Sequence, residues 1–600
     1  MTETTKKIGW FERFLRWREQ KISERNFVVV VAVVVGAAAG LAAVLLKWLI
    51  ASIAGLLTST ITTEQGNALY LVFPAVGIML TSIYVYYIAR ENISHGVTRV
   101  LYAIALKKSR LKRGDMFHSL IASAVTIGFG GSVGAEGPIV YTGAAIGSNV
   151  GSALRLTPQT MMLLVGCGAA AGIAGIFKAP IAGMLFAVEV LMLDLTAGAA
   201  LPLIMASVAG ATVAYIFTGY NVEFFFSQSE PFFASRIPFV LLLGVVCGLM
   251  SVYFNKVMAR LEKLFKRITS KHLKVIVGSI TLGILIFLLP PLYGEGYDAI
   301  TNLINGDVDA IMSGSLFYGW RGSVWAVLLF VVALAALKVF ATAATTGGGG
   351  VGGTFAPSLF VGCMVGFAFA WFVNSLGFID PANPLSIKNF ALLGMAGVIA
   401  GVMHAPLMAI FLTAEMTGGY ELFLPLLIVA AISYATSRIF MPYGIYARRL
   451  AERGELLTHQ KDQTVLTLLK MDSVIETDFL IVHPSDSLKE MVDTISKSRR
   501  NLFAVTDDND KLLGIVQLDD IRNIMFRPDL YRRMTVSEFM ARPPAKIVTG
   551  TSMEQVMKTF DDTGAWNLPV VDPEGKYVGF VSKSKIFNSY RQVLKHYSYD

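Results

Sequence analysis

The chain has 600 residues, 54% hydrophobic and only 16% charged, with 51 Lys+Arg against 42 Asp+Glu and a net charge of +9. Globular proteins carry about 25% charged residues, so a soluble enzyme of this size and a disordered chain are both excluded. Residues 448–600 hold 22 basic and 22 acidic side chains, so the whole excess lies in residues 1–447. That distribution speaks against a nucleic-acid surface and for a polytopic membrane protein with a soluble C-terminal appendage.

Residues 1–26 are polar, carry Trp10, Phe11, Phe14 and Leu15, and lack the apolar core of a signal peptide. They are expected to form an interfacial cytoplasmic helix. Seven basic residues lie there, six between Arg99 and Arg113, and six between Arg260 and Lys274. By the positive-inside rule all three clusters are expected to be cytoplasmic, with both termini on that side of the membrane.

Apolar runs at 27–57, 68–89, 237–258, 275–290 and 323–343 are each long enough to cross a bilayer. Cys167, Cys247 and Cys363 fall in apolar stretches with no CxxC, so neither a disulfide frame nor a metal site is expected. Segments 115–220 and 355–441 are apolar but broken by Gly and Pro, as in GGSVGAEGP and TTGGGGVGGTFAP. Irregular backbone at membrane depth is tolerated where it is buried in protein or lines a wet pathway.

The punctuation repeats. Residues 168–189 laid on 394–415 give eight identities in 22 positions, including Ala179/Ala405, Pro180/Pro406 and Glu189/Glu415. Upstream, GAAAGL (36–41) answers GVVCGL (244–249), and VGAEGP (133–138) answers VGGTFAP (351–357). Two homologous membrane halves follow, 27–220 and 237–454 with the final helix included. Paired, interrupted helices in matching positions point to a transport site; small residues for close packing are the plainer reading of the same pattern.

GAEGP, GGTFAP and the two Ala-Pro pairs each read as a helix start, with Pro in the first turn. Such a start presents N–H groups and the positive dipole end, which bind an anion without a full charge. Of the carboxylates in these segments, Glu136, Glu189, Asp194 and Glu415, Glu136 is the leading candidate. In the first turn of its helix it could occupy an anion site and leave on protonation. Glu189 and Glu415 suit a structural role at least as well, accepting backbone hydrogen bonds.

At these residues the chain resembles the CLC family of chloride channels and proton/chloride exchangers. GAEGP matches the family's GxEGP motif, GGTFAP its GxFxP motif, and IYARRLAERG (445–454) its final helix. The resemblance implies a polytopic α-helical membrane protein of two inverted repeats with broken helices, working as a homodimer with a pore in each subunit. It implies Glu136 as gate, with Tyr446 and the backbone around Ala135, Gly137, Thr354, Phe355 and Ala356 holding chloride. Two positions depart from the family. Its GSGIP motif appears as Ser-His-Gly-Val-Thr from Ser94 to Thr98, so the anion contacts expected there are His95, Gly96 and Val97. His95 either donates an N–H to the ion or turns away. The family's internal proton-accepting glutamate is Val190 here, which favours a voltage- or pH-gated channel over an antiporter.

After a linker at 455–464 come two related units, 465–535 and 536–600, each an alternating strand, a polar turn, a second strand and a helix start. They resemble a pair of CBS domains, which in other proteins often bind adenine nucleotides. The nucleotide-contacting pattern is incomplete in both, with Asp520 kept in the first, Ser582 in the second, and Lys585 at the second acid position. A structural or gating module and an ATP/AMP sensor both remain open. CBS pairs also occur on magnesium channels, but a cation path needs converging carboxylates. An enzyme is not expected: GGGGVGG lacks the Lys-Ser/Thr of a phosphate loop, and no nucleophile or metal set is present. No cofactor is required beyond the transported ion.

Overall fold

The computed structural model describes residues 17–18, 20–58, 69–90, 93, 95–106, 109–219, 232–377, 379, 383–452 and 471–589. Most of the expected N-terminal helix, Ser94 and the 455–464 linker lie outside them. Two compact units are present, Met1–Leu456 and Leu457–Asp600.

In the first unit the first half comprises α1 (Glu24–Thr58), α2 (Leu69–Tyr84), α3 (Gly96–Leu106), α4 (Asp115–Gly128), α5 (Glu136–Ala153), α6 (Pro158–Phe177), α7 (Pro180–Glu189) and α8 (Ala197–Thr218). The second half comprises α9 (Ile237–Arg267), α10 (Lys271–Leu288), α11 (Tyr297–Asn305), α12 (Val308–Met312), α13 (Val324–Gly347), α14 (Phe355–Ser375), α15 (Ile387–Met403), α16 (Pro406–Thr417) and α17 (Phe423–Phe440), and α18 (Ile445–Ala451) closes it. Among the described residues nine helices are long and apolar enough to span a membrane. The 237–258 run is only the apolar part of α9, which continues to Arg267 because its last two turns carry basic residues that suit a helix C-terminus.

The repeat is visible in the packing. A Cβ on Gly36 or Gly40 of α1 would strike the backbone of Ala206 or Gly210 in α8. In α9, a Cβ on Gly244 or Gly248 would strike the side chain of Ile432 or Thr436 in α17. Gly143 of α5 faces Gly168 of α6, and Gly362 of α14 faces Gly394 of α15. Lys178 and His404, before the two Ala-Pro pairs, both take left-handed backbone (φ 55° and 59°) and end α6 and α15.

The second unit holds two sheets, in the orders β1-β7-β6-β5 and β2-β3-β4, from β1 (Ile475–Glu476), β2 (Ile481–Val482), β3 (Leu502–Thr506), β4 (Leu512–Gln517), β5 (Ile547–Val548), β6 (Asn567–Val571) and β7 (Tyr577–Ser582). β1, which comes before the first hairpin, pairs with β7 of the second. The two hairpin turns are duplicates: Asp507 Oδ1 accepts from Asn509 and Lys511 N–H, and Asp572 Oδ1 from Glu574 and Lys576 N–H.

Candidate anion pathway

The two Gly-rich segments run antiparallel against each other. Gly134 N–H donates to Gly353 O (3.0 Å) and Gly353 N–H to Gly134 O (2.7 Å). Thr345 accepts Ser132 N–H and Thr126 accepts Val351 N–H, at 3.1 and 3.0 Å. Gly130 and Gly349 both need positive φ, 94° and 106°. These pairs share one offset, 219, which matches Glu136 with Phe355 and Pro138 with Pro357 without a gap. The Val133/Val351 alignment suggested by the motifs is therefore replaced by Ser132/Val351, because the bridge fixes the register.

The starts of α5 and α14 are thus brought together, and the Glu136 side chain lies between them. It is 1% exposed. Its Oε2 lies 3.4 Å from the N–H of Ala356, in the first turn of α14, and its Oε1 accepts the Tyr297 hydroxyl at 2.7 Å. A carboxylate here takes the N–H and dipole of a helix start, the interaction an anion would use.

Tyr446 is buried at the start of α18, its hydroxyl 3.5 Å from Thr354 Oγ1. Gly96 begins α3 so close to α5 that a Cβ would lie 2.3 Å from Gly137 O. Val97 is buried beside it, and half-buried His95 accepts Arg99 N–H through its carbonyl. Phe355 packs on Phe177, ring centroids 5.5 Å apart. The starts of α3, α5, α14 and α18 and the residues expected from the motifs therefore sit together. Ala135 is the exception: its N–H already donates to Glu295 Oε1 at 2.9 Å, so it does not face an anion.

Glu189 and Glu415 do structural work, reciprocally. Glu415 accepts the N–H groups of Ile181 and Ala182 at the start of α7 (3.0 and 2.9 Å). Glu189 accepts those of Leu407 and Met408 at the start of α16 (3.1 and 2.7 Å). Each half's glutamate caps the other half's helix. Val190 is buried just past α7, and Asp194 is exposed.

Several residues escaped the motif search. Glu295 approaches the α5 start from the segment before α11, and Tyr297 from the first position of α11. Lys338 of α13 is fully buried, donating to Gly294 O at 3.1 Å. A lone lysine inside an apolar span is the signal the sequence carries for it, although it stands in no Gly/Pro-interrupted segment. Arg449 pairs with Glu262 and donates to Thr98 Oγ1 (3.3 Å), the residue at the family proline position.

In the second unit Asp520 accepts Gln517 N–H (3.2 Å) as a helix cap, and Ser582 accepts Lys585 N–H (3.1 Å) while donating to Glu476 (2.7 Å). Of the three expected nucleotide contacts, the Asp520 and Ser582 side chains are thus engaged within the fold, and Lys585 takes part through its backbone N–H. Arg500 joins Glu476 and Asp478, and its hydrogen bond holds the Asp478 carboxyl below the usual carboxylate range. Among the described residues no group of three or more His, Cys, Asp or Glu could hold a metal ion.

The family profile described as voltage gated chloride channel matches residues 76–438. The chain belongs to this CLC family. CBS domains match at 471–527 and 536–591, so this CLC protein carries a C-terminal CBS pair. It is similar to a putative chloride channel protein ClcB-like of Ralstonia nicotianae, 29% identical over 64% of this chain and 86% of that protein. It is also similar to chloride channel protein CLC-f of Arabidopsis thaliana, 28% identical over 72% of this chain and 61% of that one. In fold it resembles a slow cyanobacterial Cl-/H+ antiporter (TM-score 0.61, 22% identity, 72% of this chain and 99% of that one). A eukaryotic CLC transporter is likewise similar (TM-score 0.60, 17% identity, 94% of this chain and 99% of that one). The protein is therefore an integral membrane CLC anion channel or Cl-/H+ antiporter.

Proposed function

We propose that the protein is a passive chloride channel, with one pathway in each subunit of a homodimer and Glu136 as its gate. The supporting observation is the Glu136 carboxylate against the first turn of α14, where a permeating ion would be held. Ionised, the carboxylate competes for that site; protonated, it loses the charge that the helix start attracts and yields to chloride. The ion is then held by backbone N–H groups around Gly96, Val97, Gly137, Thr354, Phe355 and Ala356, near His95, and by the Tyr446 hydroxyl. Backbone dipoles and a hydroxyl hold an ion less tightly than a directly coordinating cation would, which suits conduction.

Apolar Val190, where exchangers of this family carry an acid, favours the channel. A proton-coupled antiporter is the second reading, since Glu136 is itself a protonatable group in the anion path. In keeping with the channel reading, both termini are cytoplasmic, segments 27–220 and 237–454 are the two halves of the pore, and 465–535 and 536–600 are the CBS domains. Exposed Ile181, Leu201, Ile204 and Leu407 on α7, α8 and α16 are an apolar face suited to the second subunit. The CBS pair is read as a structural or gating module, because Asp520 and Ser582 are engaged internally; adenine nucleotide binding there is the alternative.

Anion flux from proteoliposomes with simultaneous pH recording tests the assignment. A chloride gradient is expected to move chloride and drive no protons uphill; uphill proton movement would assign the antiporter. Glu136→Gln is expected to remove the pH dependence of flux, and its persistence would sink the gate.

A further inference from the structure

The segment from Tyr293 to Tyr297, which follows α10 and ends at the first residue of α11, is bound to the loop that carries Glu136 by four hydrogen bonds. The Tyr293 hydroxyl donates to Gly128 O (3.4 Å), and Gly294 N–H donates to Gly130 O (3.2 Å). Glu295 Oε1 accepts Ala135 N–H (2.9 Å), and the Tyr297 hydroxyl donates to Glu136 Oε1 (2.7 Å). Gly294 and Gly296 supply the positive φ values, 60° and 90°, that let the chain turn twice within so short a strap.

The strap is also anchored on its far side. Lys338 Nζ donates to Gly294 O (3.1 Å), lies 4.8 Å above the Phe360 ring, and feels the Glu295 carboxylate. A Cβ on Gly296 would lie 2.6 Å from Phe360, so the strap rests directly on α14. A buried amine bound to a strap carbonyl is costly to desolvate, and a fixed geometry offsets that cost. In chain order α11 is the second-half counterpart of α3, so the strap leads into α11 as the segment ending at His95 leads into α3.

We propose that Tyr297 is a positioning residue that latches the ionised Glu136 carboxylate in the pathway, with the Lys338-anchored strap holding the latch in register. The proposal rests on Glu136 being the gate. The hydroxyl stabilises the ionised, blocking carboxylate more than the neutral carboxyl, because a charge-assisted hydrogen bond is the stronger. The groups acting on Glu136 are Lys47 from α1, Tyr297 from α11, Ala356 N–H from α14 and Tyr446 from α18, with Glu295 bound next to it at Ala135. Removing the Tyr297 hydroxyl leaves the others in position.

Chloride efflux from proteoliposomes of the full-length protein, recorded across pH, tests the latch. Tyr297→Phe is expected to raise flux at alkaline pH about tenfold and to move the pH midpoint up by about one unit, equivalent to ~1.4 kcal/mol. Flux at acid pH, where the gate is already neutral, is expected to be unchanged. In a Glu136→Gln background, Tyr297→Phe is expected to have no further effect. If Tyr297→Phe leaves the midpoint in place while Glu136→Gln abolishes pH dependence, the latch is wrong and the gate stands. An equal rise in both backgrounds would mean that Tyr297 limits the width of the path, which also overturns the latch. If Glu136→Gln keeps the pH dependence, the gate reading falls and takes the latch with it.

Discussion

The starts of α5 and α14 are built alike and differ where it counts. Each follows a glycine of positive φ, each is bridged through Gly134 and Gly353, and each is steadied by a threonine of the other half. At the matching position one carries Glu136 and the other Phe355. Duplicated scaffolding delivers two helix N-termini to one point, and a single unmatched carboxylate lies between them. The strap adds a second asymmetry, since it binds the loop before Glu136 and rests on α14.

That comparison can be broken at its scaffold. Glu189→Ala and Glu415→Ala each strip two N–H groups of their acceptor, and each is expected to cost ~2–3 kcal/mol, near the level of a charged hydrogen-bond partner. Thermal unfolding in detergent should show similar losses for the two, and a large difference would mean that the halves are not mechanically equivalent.

The bridge glycines should separate function from scaffold. A Cβ at Gly134 would lie 2.0 Å from Glu136 Oε2, so Gly134→Ala is expected to expel the carboxylate and raise alkaline chloride flux several-fold. A Cβ at Gly353 meets Gly137 backbone at 2.9 Å instead. Gly353→Ala is expected to lower the unfolding temperature while flux keeps its pH dependence.

Smaller effects belong to the paired threonines. Thr126→Val and Thr345→Val each leave one buried N–H without its acceptor, at a cost of ~1–2 kcal/mol apiece. Equal shifts in melting temperature would support the symmetry.

The smallest effect lies in the CBS pair. The Arg500 hydrogen bond depresses the Asp478 carboxyl, so its contribution is present above the ordinary carboxylate range and is lost as pH falls through the depressed value. Asp478 is exposed, so Asp478→Asn should cost at most about 1 kcal/mol at pH 7, and the difference from wild type should vanish in acid. A difference that persists at acid pH would point to packing and not charge.

Much of the fold was legible because the bilayer imposes a simple code: long apolar spans, basic flanks, and Gly/Pro wherever backbone must stay irregular. The four helix starts at Glu136, Phe355, Pro180 and Pro406 follow from proline in the first turn, and all four are observed. The offset of 219 was legible in identities such as Thr126/Thr345, Gly134/Gly353 and Pro138/Pro357, but the shared VG of the two motifs drew the alignment to Val133/Val351; the Gly134–Gly353 bridge decides between them. Ala135 looked like an anion contact until Glu295, 160 residues away, was found on its N–H.

Sequence alone determined the membrane class, the repeated halves, the CBS pair and the position of the carboxylate at a helix start. These are properties of local pattern, in which each residue's cost in lipid or in a helix is felt by its immediate neighbours. Tertiary structure alone decided what the carboxylates bind: Glu189 and Glu415 cap each other's half, and Glu136 meets Tyr297 and Ala356. Hydrogen bonds act over ångströms in space with no memory of separation along the chain, so partners more than 150 residues apart leave no spacing to read.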